Sequence, residues 1–230
     1  MERLDRYVAE RANIARKDAK TAIRRGRVCV DGVAEFSPEK KVNSETVSFD
    51  GVILPQSPFT YIIMNKPAGV LSASRDNRQQ TVIDLIPDEL MRKELFPVGR
   101  LDRDTTGLLL ITNDGATAHR LLAPASHVDK VYFATLDGIP DENTVKAFED
   151  GIELGDFRSM PAKLELLGGN EARATVREGK FHQVKRMFAA CGLTVTALKR
   201  VEFGGVTLPA ELAEGECRLL STEEMKTLGI

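Results

Sequence analysis

Four large apolar residues, Leu108-Leu109-Leu110-Ile111, follow directly on Gly99-Arg100-Leu101-Asp102-Arg103-Asp104-Thr105-Thr106-Gly107, so a glycine-bounded, carboxylate-bearing turn feeds a rigid strand. That junction constrains the fold more than any other stretch, because a strand anchored at one end holds the turn's side chains in a fixed place. Aspartates are common in turns simply because they solvate them. A carboxylate used as a nucleophile must instead be desolvated, kept ionised and aimed at an electrophilic carbon. The segment alone admits both readings.

The remainder of the chain reads as hairpin strands interspersed with helices. Strands are expected over 59–64, 108–112, 130–136 and 195–203, and a hairpin from 162–167 and 171–177 around Gly168-Gly169-Asn170. Short helices are expected over 81–86, 88–93 and 116–123, one over 141–149 with Asp141 as N-cap, and one over 182–191 stopped by Gly192. This pattern predicts an α+β fold on a largely antiparallel mixed sheet flanked by helices, not a regular β-α alternation. Neither a G-x-G-x-x-G nor a Walker lysine loop occurs, which leaves a nucleotide cofactor without support. The three cysteines, Cys29, Cys191 and Cys217, are widely spaced and the three histidines lack metal-ligand spacing, so no disulfide framework, zinc site or other metal is indicated. No apolar run approaches a membrane span or secretory core, and the chain reads as a soluble cytoplasmic monomer with no membrane partner.

A net charge of −2 hides an uneven distribution: residues 1–27 hold nine lysines and arginines against four acids. In the second of two short helices Ala19, Ala22 and Ile23 make a narrow apolar stripe. Arg16, Lys20 and Arg24 recur on another face with Lys17 and Arg27 beside them, and this charge reads as almost uncompensated. Val28 to Gly32 then alternates towards a strand and turn, and 46–54 reads as a hairpin around Asp50-Gly51. The order R-L-D-x-x-V, basic helix with A-x-x-x-I-R-x-G, then V-x-V-D-G resembles the S4 RNA-binding domain over roughly residues 1–50. The resemblance implies RNA contacts for Arg3, Arg6, Arg16, Lys17, Lys20, Arg24 and Arg27. Pro55-Gln56-Ser57-Pro58 suits a linker, giving domains of 1–56 and 57–230.

A second segment, Glu178-Gly179-Lys180-Phe181-His182-Gln183-Val184-Lys185-Arg186-Met187-Phe188, places Val184, Met187, Phe188 and Cys191 on one helical stripe. Lys185 and Arg186 flank that stripe in the first turn, where cations oppose the helix dipole and an anionic partner would explain them. Periodicity does not choose between the two. Taken with G-R-L-D-x-x-T-x-G-L-L-L-x-T-N-D-G, the N-K-P turn at 65–67 and K-V-Y at 130–132, the H-Q-V-K-R-M-F run resembles the RsuA branch of the pseudouridine synthases from Tyr61 to about Leu220.

That resemblance implies a cofactor-free isomerase in which Asp102 attacks the target uridine while its glycosidic bond moves from N1 to C5. It implies that Lys185 pairs with this carboxylate, and that Tyr132 stacks on the target base and assists proton removal from C5. A neighbouring cation would keep ionised a carboxylate that desolvation alone would neutralise. Arg100 and Arg103 flank the nucleophile and could grip phosphates, with a surface ion pair as the competing reading. The form of the lysine motif and the T-N-D-G ending look more like the small-subunit rRNA enzymes than their large-subunit relatives, so the expected partner is rRNA or a pre-ribosomal particle. Two other readings stay open on sequence alone. Asp102 to Thr106 also fits D-x-D-x-T, the signature of magnesium-dependent aspartyl-phosphate phosphatases, although the apolar strand follows the motif here and does not precede it. A non-catalytic S4 adaptor is the other.

Overall fold

The computed structural model describes residues 1–230, Pro124 by its backbone alone. The chain forms two compact units, Met1–Thr60 and Tyr61–Ile230.

In the first unit, strand β1 (Glu2–Arg3) leads into helices α1 (Leu4–Arg11) and α2 (Arg16–Arg24). Strands β2 (Val28–Val30), β3 (Val33–Ala34), β4 (Lys41–Val42), β5 (Val47–Phe49) and β6 (Val52–Ile53) follow. Four of them form an antiparallel sheet in the order β3-β2-β5-β6, and β1 pairs with β4. Leu4, Tyr7 and Val8 on α1 meet Ala19, Ala22 and Ile23 on α2, and both stripes close over Val28, Val30 and Val47. The i, i+3, i+4 spacing of each stripe explains why such short, charged segments are helical here: tertiary burial supplies what propensity does not.

The second unit is built on nine strands: β7 (Tyr61–Lys66), β8 (Phe96–Pro97), β9 (Thr106–Thr112), β10 (Lys130–Leu136), β11 (Lys163–Gly168), β12 (Glu171–Val176), β13 (Val195–Phe203), β14 (Val206–Thr207) and β15 (Cys217–Leu219). Its helices are α3 (Gly115–Leu122), α4 (Glu142–Asp150), α5 (Gln183–Ala190) and α6 (Thr222–Thr227). The sheet runs β11-β12-β10-β13-β9-β7-β15, with β14 on β13 and β8 on β9. Every pairing is antiparallel except β9 with β13, where Thr106 faces Lys199 and Gly107 faces Arg200. Gly107 has φ +100°, and a Cβ there would lie 2.2 Å from the Arg200 carbonyl oxygen, so only glycine lets the two strands meet.

The uninterrupted apolar run of β9 has a direct cause: both of its faces are buried. Leu109 and Ile111 face a core with Ile62, Met64, Phe148 of α4 and Val184, Met187 and Phe188 of α5. Leu108 and Leu110 face the opposite core with Ile63, Phe203, Ala118 and Leu121 of α3, and Leu228. Asp114 of the T-N-D-G sequence is the N-cap of α3, accepting from the backbone N–H of Ala116 (3.0 Å) and Thr117 (3.2 Å), and Asp141 caps α4 in a capping box.

Two expected helices change. Residues 88–93 form only turns, because the hydrogen bonds that begin at Pro87 end at Met91 and Glu94 turns left-handed with φ 60°. Within 81–86 only a 3-10 turn, Ile83–Leu85, is present. The first sheet strand of the unit also starts later than expected, at Tyr61, and runs on to Lys66.

Candidate active site

Asp102 sits in the turn immediately before β9, and the chain on either side of it is held from below by the segment following β7. Gly69 N–H donates to the Arg103 carbonyl (2.8 Å), Arg103 Nε donates back to the Gly69 carbonyl (3.1 Å), and Ser72 Oγ donates to the Leu101 carbonyl (2.8 Å). Beneath the turn the wholly buried ammonium of Lys66 donates to the carbonyls of Pro67 (2.9 Å), Arg103 (3.2 Å) and Thr105 (3.0 Å). Burial pushes the Lys66 amine down to about 8, against the pull of Asp104 and Asp102. The N-K-P turn therefore does more than reverse the chain. Its lysine gathers the carbonyls of the aspartate turn on a single donor group.

The carboxylate of Asp102 opens into a narrow cleft lined by Arg100, Thr105, Tyr132, Glu178, His182 and Lys185, among others. Tyr132 comes from the middle of β10, mostly buried, as a central strand residue would be. Lys185 and His182 arrive from α5 and the residue before it. Lys185 Nζ lies 3.5 Å from Asp102 Oδ2 and 2.5 Å from Asp104 Oδ1, and His182 Nε2 lies 3.6 Å from Asp102 Oδ1. The hydrogen bond from Lys185 holds the Asp104 carboxyl below its ordinary range. The lysine is thus shared between two acids, with its shorter contact to the more exposed one. Asp102 keeps oxygen lone pairs uncommitted, the state in which a carboxylate can attack.

Arg186, the neighbouring cation that periodicity could not separate from Lys185, points elsewhere: it pairs with Asp156 and donates to the Leu154 carbonyl. Both first-turn cations have internal anionic partners, which answers the unfavourable dipole. The loop before α5 is itself braced. Buried Gln183 donates to Glu178 Oε1 (2.7 Å) and accepts from Lys180 N–H (3.0 Å), while His182 takes left-handed backbone (φ 50°, ψ 28°) to start the helix. His182 is thus the N-cap of α5, closing the turn that precedes it, and is not its first helical residue. On the far side of Tyr132, Lys130 is buried and donates to the Val128 carbonyl (2.8 Å), its amine pushed down to about 8 by burial first and by Arg200 next.

Sequence reasoning missed Lys66 and Ser72 as supports of the turn and His182 as a contact of Asp102. Only the N-K-P and H-Q motifs hinted at them. Arg100 and Arg103 do flank Asp102, both exposed; neither makes an ion pair among the described residues, and Arg103 is engaged with the Gly69 carbonyl.

The cations of the first unit require a correction. Their charge is not almost uncompensated: wholly buried Asp5 takes Arg3 (3.0 Å), Arg16 (2.9 Å) and Lys20 (3.8 Å). Arg6 pairs with Glu10 (2.7 Å) and Glu2 (3.3 Å), and Arg27 with Asp50. Acids from outside residues 1–27, and one acid serving three cations, defeat a count made along the sequence. Among the described residues Lys17, Arg24 and Arg25 remain exposed without an acidic partner.

Comparison with known proteins bears on this geometry. The family described as RNA pseudouridylate synthase matches residues 60–190. The uncharacterized RNA pseudouridine synthase YtzG of Bacillus subtilis is 42% identical over 233 residues, covering 98% of both chains. Ribosomal small subunit pseudouridine synthase A of Escherichia coli K12 is 39% identical over 230 residues, covering 98% of this chain and 99% of its own. A crystal structure of a pseudouridylate synthase superposes with a TM-score of 0.70 at 36% identity, covering 99% of this chain and 100% of that one.

Proposed function

The chain belongs to the RNA pseudouridylate synthase family and is a pseudouridine synthase, an isomerase, and from that premise we propose that it isomerises one uridine of small-subunit rRNA with Asp102 as the nucleophile. The observation that carries the assignment of Asp102 is its place in a cleft with Tyr132, in contact with Lys185 yet not saturated by it. In the reaction the N1–C1′ bond breaks and a C5–C1′ bond forms, while C5 gives up a proton and N1 gains one. Nothing is oxidised or reduced. The Asp102 carboxylate is the attacking group, the Lys185 ammonium stands beside it as its counter-charge, and Tyr132 stacks against the base and assists removal of the C5 proton. A base must leave its helical stack to reach such a cleft, and an aromatic wall receives it.

The choice of small-subunit rRNA is supported by the relatives of that name that align over nearly the whole chain. The first unit supplies RNA affinity in this reading, as an S4-type domain. Lys17 and Arg24, with Arg25 beside them, carry no acidic partner among the described residues, while Arg3, Arg6, Arg16, Lys20 and Arg27 are drawn partly into ion pairs. Arg100 and Arg103 grip phosphate beside the flipped nucleotide. The phosphatase reading loses its ground, because D-x-D-x-T lies in the turn before β9 rather than after a strand that carries it.

Incubation with unmodified small- and large-subunit rRNA transcripts, followed by chemical mapping of pseudouridine, tests the proposal. A single new site in the small-subunit transcript is expected, without nucleotide cofactor. A site confined to the large-subunit transcript would overturn the substrate assignment while leaving the chemistry of Asp102 intact.

A further inference from the structure

Phe181 is 71% exposed, although a phenyl ring left in water forgoes roughly 2 kcal/mol of burial free energy. It stands between Lys180 and His182, both of which line the cleft of Asp102, yet its own side chain does not line it. Its ring lies nearly parallel to that of His182, with centroids 3.8 Å apart and an interplanar angle of 18°. The ring is therefore oriented without being covered. The backbone that sets it there is unusual, since His182 occupies left-handed space that a non-glycine residue enters at some cost. Beside it in the chain, Lys180 lies over the Phe157 ring at 3.8 Å and makes no ion pair among the described residues, whereas Arg186, 5.1 Å from the same ring, is paired with Asp156 and Lys185 with Asp102 and Asp104. The other large apolar side chains exposed on this unit, such as Ile139 and Leu219, do not line that cleft either, nor do they neighbour residues that do.

We propose that Phe181 is a stacking platform for a nucleobase next to the target uridine, holding the RNA strand open at the mouth of the cleft. The inference rests on the reading of the Asp102 cleft as the uridine site. Flipping a base out of its stack leaves its neighbour with an uncovered π-face, and an aromatic side chain restores that contact. Position separates the two aromatic residues by task. Tyr132 is within the cleft and faces the flipped base; Phe181 is outside it and faces a base that stays behind. Such a contact is tolerant of sequence because every base offers a π-face, while the unpaired ammonium of Lys180 beside it meets a phosphate of the same strand.

Two measurements on the full chain test this. A short single-stranded oligoribonucleotide with 2-aminopurine on each side of one uridine reports stacking by fluorescence quenching, and steady-state kinetics on whichever rRNA the wild type modifies reports KM and kcat separately. Phe181→Leu keeps an apolar side chain and removes the ring; it should lose the quenching and raise KM about 10- to 100-fold with kcat within about threefold. Phe181→Trp should keep quenching and KM near wild type, and Ile139→Ala, equally exposed elsewhere, should change neither. The inference is overturned if the wild type does not quench, if Phe181→Leu matches it, or if Phe181→Trp is as impaired as Phe181→Leu. Should neither rRNA be modified, the proposed substrate fails, and the oligonucleotide still decides the role of Phe181.

Discussion

Asp5 and Asp102 each stand among cations, and the two regions use the same chemistry to opposite ends. Asp5 is wholly buried and its carboxylate is saturated by Arg3 of β1 and by Arg16 and Lys20 of α2. The hydrogen bond from Arg3, with Arg16 added, holds that carboxyl far below the usual carboxylate range. Asp102 is a quarter exposed, its nearest cation is 3.5 Å away, and that cation bonds more closely to Asp104. A saturated carboxylate is a structural rivet. An unsaturated one beside a cation keeps acceptor positions open to another partner, so the count of neighbouring cations separates the two less well than the number of lone pairs left over.

The sharpest way to break this comparison is to remove each charge while keeping its shape. Asp102→Asn should lower kcat/KM by at least about 10³-fold, more than about 4 kcal/mol of transition-state stabilisation, with thermal stability changed by less than about 0.5 kcal/mol. Retained turnover in single-turnover assays would remove Asp102 from the chemistry. Lys185→Met should cost about 10²- to 10³-fold in kcat, as losing one preorganised charge partner does, and leave RNA affinity measured by filter binding almost unaltered.

Asp5→Asn should act in the other currency, destabilising the first unit by about 1–3 kcal/mol through its unpaired arginines while kcat on saturating RNA is maintained. The sign of its pH dependence follows from the lowered carboxyl: the wild-type contribution is complete above about pH 4 and is lost as the pH falls. Denaturant midpoints of wild type and Asp5→Asn should therefore converge in acid and separate towards neutrality. The smallest effect belongs to Asp104→Asn, which frees Lys185 wholly for Asp102. An exposed pair of this kind contributes less than about 1 kcal/mol, so turnover should change by no more than about threefold. Loss equal to that of Asp102→Asn would mean that the two acids work as a pair.

Periodic features were legible in the sequence, because a strand buried on both faces or a helix with one apolar stripe writes its environment into neighbouring residues. The β9 run and the α5 stripe are of that kind, and the Asp141 cap was legible from its residue type at the start of an expected helix. Lys66 was not legible as a support, since its partner Thr105 is 39 residues away and nothing local distinguishes a lysine that will be buried from one that will be solvated. The compensation of Arg16 and Lys20 escaped notice for the same reason: Asp5 lies on another helix, and only packing brings it to them. The expected helix over 88–93 failed where composition favoured a helix but no continuous apolar face required one.

The three carbonyls collected by Lys66 have a consequence for how recognition must proceed. A turn tied at Pro67, Arg103 and Thr105 has little configurational freedom left to lose, so the ordering entropy of the aspartate is settled when the chain folds and not when substrate arrives. The adaptable partner in the encounter is then the nucleic acid. If this cleft receives the target uridine as proposed, unstacking of the RNA sets the energetic threshold for entry, and uridines in already open or strained RNA are the ones it reaches.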